Sequence, residues 1–146
     1  MNPQQPITKD GASEIEEGWF SLNVVIVEDS KVLQERMAEM LRVVPGLNLV
    51  GQARGVVDAR RMIQEFQPDT VILDLQLPDG NGIDILRETK RTYPLIRFVI
   101  FTNQCEPQYR QRCLELGADY FLCKSTEAKS LLSISKVLAA DERYKQ

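Results

Sequence analysis

A doubly wound α/β domain is the fold this sequence predicts, and three observations predict it. Short continuous apolar runs recur along the chain: Val24-Val25-Ile26-Val27, Val71-Ile72-Leu73, Phe98-Val99-Ile100-Phe101 and Tyr120-Phe121-Leu122-Cys123. Runs without alternation read as strands covered on both faces, the habit of a parallel sheet. Stretches with apolar residues at helical spacing separate them, so strand and helix alternate five times and right-handed crossovers place helices on both faces. A length of 146 residues provides one domain with a real core and little more.

The elements follow in order. Strand one covers about 23–27 and helix one about 30–43, with Leu33, Met37, Met40 and Leu41 on one face. Pro45-Gly46 breaks the chain, and the more polar run at 47–53 suits an edge strand. Helix two spans about 57–66 and is expected to bury Ala59, Ile63 and Phe66. Strand three follows Pro68 and ends at Asp74, after which Leu77-Pro78-Asp79-Gly80-Asn81-Gly82 is dense in turn residues. Helix three runs to about Thr92, and Pro94 closes it. Strand four takes about 97–101. Helix four has Pro107 near its start and Gly117 just past its end. Strand five is about 120–123, and helix five about 126–140. Residues 1–21 are polar, carry an acidic stretch and read as a mostly disordered leader, with Trp19 and Phe20 as its apolar exceptions; 141–146 form a tail.

Composition excludes several functions. A net charge of −3 with 27% charged residues is no nucleic-acid footprint. No apolar stretch spans a membrane, and the amino terminus lacks the basic and apolar regions of a secretory signal. The absence of histidine removes His-based catalysis and His-bearing metal sites. Cys105, Cys113 and Cys123 are an odd set without CxxC spacing, which fits a reducing interior, hence a cytoplasmic protein, rather than a disulfide framework.

The strand ends carry the chemistry. Strand one ends in Glu28-Asp29, strand three in Asp74, strand four in Thr102 and strand five in Lys124. Ligand sites of open α/β sheets lie at the carboxyl ends of the strands. Three carboxylates gathered there repel one another, and a hard cation with oxygen ligands relieves the repulsion. A divalent cation with a phosphoryl group is the guest that suits this set.

The segments Val25-Ile26-Val27-Glu28-Asp29-Ser30, Val71 through Gly82, Phe101-Thr102 and Gly117-Ala118-Asp119-Tyr120-Phe121-Leu122-Cys123-Lys124 closely resemble the receiver domain of bacterial two-component response regulators, chemotaxis-type regulators included. The resemblance covers about 22–140 and implies a flavodoxin-like strand order 2-1-3-4-5. It makes Asp74 the phosphoacceptor, attacking a phosphohistidine of a sensor histidine kinase or phosphotransfer protein, or a small phosphodonor. It gives Mg²⁺ to Asp29 directly, to Glu28 through water, to Asp74 and to the backbone carbonyl of Gln76. Lys124 would pair with a phosphoryl oxygen, Thr102 would hydrogen-bond another, and Phe121 would swing inward as Thr102 moves.

The resemblance also implies a timed switch that catalyses only its own phosphorylation and dephosphorylation. Its output face would comprise helix four, strand five and helix five, with Gln108, Arg112, Glu115 and Tyr120 as contact residues. The partner is a downstream protein or an output domain outside this sequence, with homodimerisation left open. No helix-turn-helix follows Ala140, so no direct nucleic-acid contact is expected, and none with a membrane.

Plainer roles stand beside these. Asp29 could precap helix one, Asp74 could form a turn, Lys124 could be a surface lysine, and Thr102 and Phe121 could serve packing alone. Cys123 could be a reactive thiol or a buried one. Arg60-Arg61 and the run from Arg87 to Arg91 read as solvated helix faces.

Three positions depart from the family. Ser125 stands where proline commonly follows the lysine, so that loop is expected to be trans. Asn103 replaces a small residue and could restrict access to Asp74. Gln76 occupies a position that tunes dephosphorylation. These leave a degenerate receiver, a binding module that takes no phosphate, as the alternative. An aspartyl-nucleophile phosphatase is disfavoured because Gln76 stands where it needs a second aspartate. A flavin carrier is disfavoured because Glu28-Asp29 would repel phosphate.

Overall fold

Strands apolar on both faces need cover on both faces, and the alternation of strand with helix supplies it. The computed structural model describes residues 21–141. The expected leader and tail lie outside the described residues except for Ser21 and Asp141. The described elements are β1 (Leu22–Val27), α1 (Lys31–Arg42), β2 (Leu47–Ala53), α2 (Val56–Phe66), β3 (Thr70–Leu73), β4 (Gln76–Leu77), β5 (Gly80–Asn81), α3 (Gly82–Thr92), β6 (Arg97–Thr102), α4 (Pro107–Glu115), β7 (Tyr120–Cys123) and α5 (Lys124–Ala139).

The main sheet runs β2-β1-β3-β6-β7 with every neighbouring pair parallel, the 2-1-3-4-5 order expected. Successive side chains point to opposite faces. Val25, Val27, Val71, Leu73, Phe98 and Ile100 meet Ala59 and Ile63 of α2, Ile85 and Leu86 of α3 and Cys113 of α4. The alternate set, Val24, Ile26, Ile72, Val99 and Phe101, meets Met37 and Leu41 of α1 and Leu131 and Leu138 of α5. Each such aliphatic side chain contributes about 1.5–3 kcal/mol when fully buried. The sheet is thereby a rigid platform whose carboxyl edge holds the polar strand ends.

The structure adds detail where turn chemistry decides. The turn-rich segment after Asp74 folds into a small antiparallel ribbon, Gln76 opposite Asn81 and Leu77 opposite Gly80. Asn81 then caps α3, its side-chain oxygen accepting the Ile83 amide at 2.9 Å. Helix α5 begins at Lys124, two residues earlier than expected, and kinks at Glu127 (φ −125°, ψ 19°). The Glu127 carboxylate turns back to accept the Cys123 amide at 3.0 Å, which explains the early turn. No peptide bond among the described residues is cis, so Lys124-Ser125 is trans as expected.

One expected core residue is displaced. Phe66 is 41% exposed, while Val56 at the other end of α2 is buried. Phe66 lies over Gly51 of the edge strand β2, beyond which no further strand among the described residues pairs.

Candidate functional site

The site begins with hydrogen bonds that hold the strand ends in place. The Glu28 amide donates to the Ala53 carbonyl at 2.9 Å, and the Asp74 amide to the Val27 carbonyl at 3.0 Å. Gln34, buried on α1, donates through Nε2 to the Glu28 carbonyl at 3.2 Å and the Ala53 carbonyl at 3.0 Å. It fixes the acidic loop from beneath. Ser30, not Asp29, caps α1 by accepting the Leu33 amide at 3.2 Å.

On this frame Lys124 joins two buried carboxylates. Its Nζ lies 2.7 Å from Asp74 Oδ2 and 2.7 Å from Glu28 Oε1. The Asp74 contact is a hydrogen bond. The Glu28 Oε1 contact is an ion pair with the Lys124 ammonium. Glu28 Oε2 accepts the Ser30 amide at 2.9 Å, and Asp74 Oδ1 the Gln76 amide at 3.2 Å. Asp74 therefore does form the turn that its plainer role required, alongside the pairing with Lys124. Burial pushes the Lys124 ammonium toward deprotonation, and the carboxylates of Asp74 and Glu28 more than offset this, holding its pKa above the ordinary lysine value. Lys124 is thus no surface lysine: its side chain is 12% exposed.

Asp29 stands apart. Its side chain is 52% exposed and its Oδ1 is 4.0 Å from an Arg54 guanidinium nitrogen, while Arg54 Nε donates to the Asp29 carbonyl at 3.1 Å. The expected convergence of three carboxylates is therefore met by two. Among the described residues no three Asp, Glu, Cys or His side chains are gathered to hold a metal ion. Arg54 lies on the exposed side of Asp29, with its guanidinium near that carboxylate.

Thr102 is fully buried at the end of β6, its hydroxyl accepting the Gln104 amide at 3.2 Å. Phe121 is buried in the core beneath α4, with the Arg110 guanidinium 4.8 Å over its ring and Arg110 also donating to the Phe121 carbonyl at 3.3 Å. Gln76 and Asn103 are exposed, as are Gln108, Arg112 and Glu115, while Tyr120 is half-buried.

The cysteines overturn an expectation. Cys105 and Cys123 form a disulfide, with Cα atoms 5.6 Å apart, and Cys113 is the buried free thiol. Spacing rules compare near neighbours in sequence. These two cysteines meet because β6 and β7 are adjacent parallel strands, with Thr102 paired to Cys123, and Cys105 follows three residues later. Of the basic residues read as solvated, Arg60 is exposed yet paired in fork geometry with Glu88 at 2.8 Å, clasping α2 to α3.

Asp79, in the turn-rich segment, does more than form a turn. It accepts the Val56 amide at 2.6 Å and the Val57 amide at 3.2 Å, capping α2 from the β4–β5 ribbon. These backbone hydrogen bonds hold its carboxyl below the usual range. Gly55 makes room, since a Cβ there would sit 2.7 Å from the Asp79 carboxylate.

This geometry agrees with the comparisons. The sequence matches the response regulator receiver domain over residues 24–136. The chain belongs to the response regulator receiver family. It is 33% identical over 131 residues to a protein-glutamate methylesterase/protein-glutamine glutaminase of Treponema pallidum, covering 84% of this chain and 32% of that protein. Among solved structures, the non-phosphorylated HemR receiver domain of Leptospira biflexa is 29% identical at a TM-score of 0.72, covering 82% of this chain and 94% of that one. The Mn(2+)-bound form of the response regulator Rcp1 is 26% identical at a TM-score of 0.66, covering 80% and 90%. This receiver chain spans between about a third and three fifths of the length of the curated relatives it matches. No described helix is long and apolar enough to cross a membrane.

Proposed function

We propose that residues 22–140 form a working receiver that accepts a phosphoryl group on Asp74, in a Mg²⁺-dependent reaction, from a sensor histidine kinase or phosphotransfer protein. The observation that carries this reading is the pairing of Lys124 with both Asp74 and Glu28, 2.7 Å from each, at the carboxyl edge of the sheet. A degenerate site has no need to maintain a buried ammonium between two carboxylates.

An Asp74 oxygen forms the new P–O bond as the P–N bond to phosphohistidine breaks, and the electron pair of that bond returns to the imidazole nitrogen. Phosphoryl transfer asks for positioning and charge neutralisation more than covalent machinery. Lys124 remains protonated and passes from the carboxylate to a phosphoryl oxygen. The residues fit a divalent cation: Glu28, Asp29 and Asp74 supply hard anionic oxygens, and the buried Glu28 Oε1 makes no hydrogen bond beyond its contact with the Lys124 ammonium. Glu28, Asp29, Asp74 and the Gln76 carbonyl would hold Mg²⁺, which neutralises phosphoryl charge when bound. The Mn(2+)-bound form of the related Rcp1 supports that assignment.

The phosphoryl group then draws the Thr102 hydroxyl away from the Gln104 amide, and the face made by α4, β7 and α5 repacks around Phe121. Gln108, Arg112, Glu115 and Tyr120 present that change to a protein partner or output domain. The test is intact mass after incubation with acetyl phosphate and Mg²⁺. One phosphate adduct, absent without metal, supports the reading. No adduct from acetyl phosphate or from a phosphorylated histidine phosphotransfer protein would leave a binding module.

A further inference from the structure

We infer that Cys105 and Cys123 are a reversible thiol–disulfide modification site that clips the loop carrying Thr102 to the strand end carrying Lys124. The inference deepens the receiver reading by adding a second input to the same switch.

Placement carries it. Cys123 pairs in register with Thr102 and immediately precedes Lys124; Cys105 lies three residues beyond Thr102. The disulfide therefore bridges the two segments whose side chains are to grip a phosphoryl group. Thr102 accepts the Gln104 amide of its own loop, so turning its hydroxyl to the acceptor breaks that bond and releases this tie between the loop and β6. With Cys105 bonded to Cys123, the loop is fixed at both ends of that turn. In the dithiol state it is fixed only at Thr102.

The site accommodates both states. Cys105 Sγ lies 3.4 Å from the Thr102 carbonyl, an acceptor for its S–H once the disulfide is reduced. Cys123 Sγ lies 3.2 Å from the Ser125 hydroxyl, which can donate to a sulfur anion or accept from a thiol. Ser125, the residue that replaces proline, thus has a function at the sulfur. Cys105 is partly exposed and reachable by a small oxidant, while Cys123 is 6% exposed and resolves from within. Cys113 offers no competing partner: it is fully buried, and burial pushes its thiol up to about 11.

The oxidant is a low-molecular-weight disulfide such as oxidised glutathione. The Cys105 thiolate attacks one glutathione sulfur, forming a mixed disulfide and releasing one glutathione thiolate. The Cys123 thiolate then attacks the Cys105 sulfur, forming the internal bond and releasing the second. Two electrons pass to the glutathione disulfide, and the two protons lost by the cysteines complete two glutathione thiols. Reduced glutathione in excess runs the same steps backward.

The test equilibrates the full-length chain in reduced and in oxidised glutathione, then reads peptide mass, amide exchange and labelling by acetyl phosphate with Mg²⁺. Expected are a Cys105–Cys123 linkage in the folded oxidised chain and a free Cys113. Exchange at 103–106 and the initial labelling rate should each fall by about fivefold or more on oxidation, the lower end of ordinary coupling between sites. Cys105→Ser should abolish the redox dependence of both, and so should Cys123→Ser. Absence of the linkage under oxidised glutathione, or a linkage that leaves exchange and labelling unchanged, overturns the inference. If neither form is labelled, the phosphoacceptor reading fails, and the clip is then judged on linkage and exchange alone.

Discussion

Lys124 donates to Asp74 Oδ2 at 2.7 Å across fifty residues of sequence, and the same ammonium lies 2.7 Å from Glu28. Removing it leaves two buried carboxylates facing each other without a counter-charge. Lys124→Met should destabilise the domain by about 2–4 kcal/mol, somewhat below the range for a fully enclosed pair because the edge of the site opens to solvent. Part of the loss should return when Mg²⁺ is added. The Lys124 pKa is raised in the folded chain, so its contribution is fully present below the unfolded lysine pKa and disappears as pH rises through the folded one. Alkaline denaturation monitored by circular dichroism should show that loss above about pH 10 in the parent, and Lys124→Met should lack it.

Arg54 competes with a cation for Asp29. Exposed ion pairs are worth about 0.2–1 kcal/mol, so Arg54→Ala should tighten Mg²⁺ binding by roughly 1.5- to 5-fold. Isothermal titration calorimetry checks it, and weaker binding in the variant would remove Arg54 from the account.

Asp79 caps α2 from a distant ribbon with its carboxyl held below the usual range. A depressed folded pKa gives stability that is present above the unfolded pKa and is lost as pH falls through the folded one. Asp79→Ala should lower Tm at neutral pH and flatten its decline through the acid range below about pH 4. Asp79→Asn, which keeps an acceptor oxygen, should fall between the two.

Gly82 packs closely against the backbone of Asp74 and Leu75. A Cβ there would run into the Asp74 carbonyl oxygen and come within 3.0 Å of the Leu75 Cα. Neither is a flexible side-chain end. Gly82→Ala should cost about 1–3 kcal/mol in urea denaturation and slow labelling of Asp74 by shifting its backbone.

Much of the domain was legible because burial on both faces writes itself into sequence as unbroken apolar runs, and Val25 through Val27 or Val71 through Leu73 need no partner to be recognised. Asp74 and Lys124 were legible because each directly follows such a run. What escaped depends on contacts between segments remote in sequence. Gln34 looks like any helical glutamine until its amide is seen under the Glu28 and Ala53 carbonyls. Arg54 lies 25 residues from the aspartate whose carbonyl it meets. The Asp79 cap needed the β4–β5 ribbon, although the glycine at 55, before an uncapped helix start, was a signal that a side chain from elsewhere comes close. The disulfide was missed because three cysteines without tight spacing say nothing until strand order is fixed, and strand order places 105 beside 123. Phe66 was misjudged because helical periodicity reports a face, not whether an edge strand leaves it open.

The proposed function turns on Asp74 becoming an aspartyl phosphate. An acyl phosphate is reduced by borohydride to homoserine, so the chain should be exposed to a phosphodonor with Mg²⁺, trapped with borohydride and mapped by peptide mass spectrometry. Homoserine at position 74, with no homoserine at position 29 and no 2-amino-5-hydroxypentanoic acid at position 28, is the predicted result. Reduction at another carboxylate, or an unmodified Asp74 in a chain that carries phosphate elsewhere, would contradict the account.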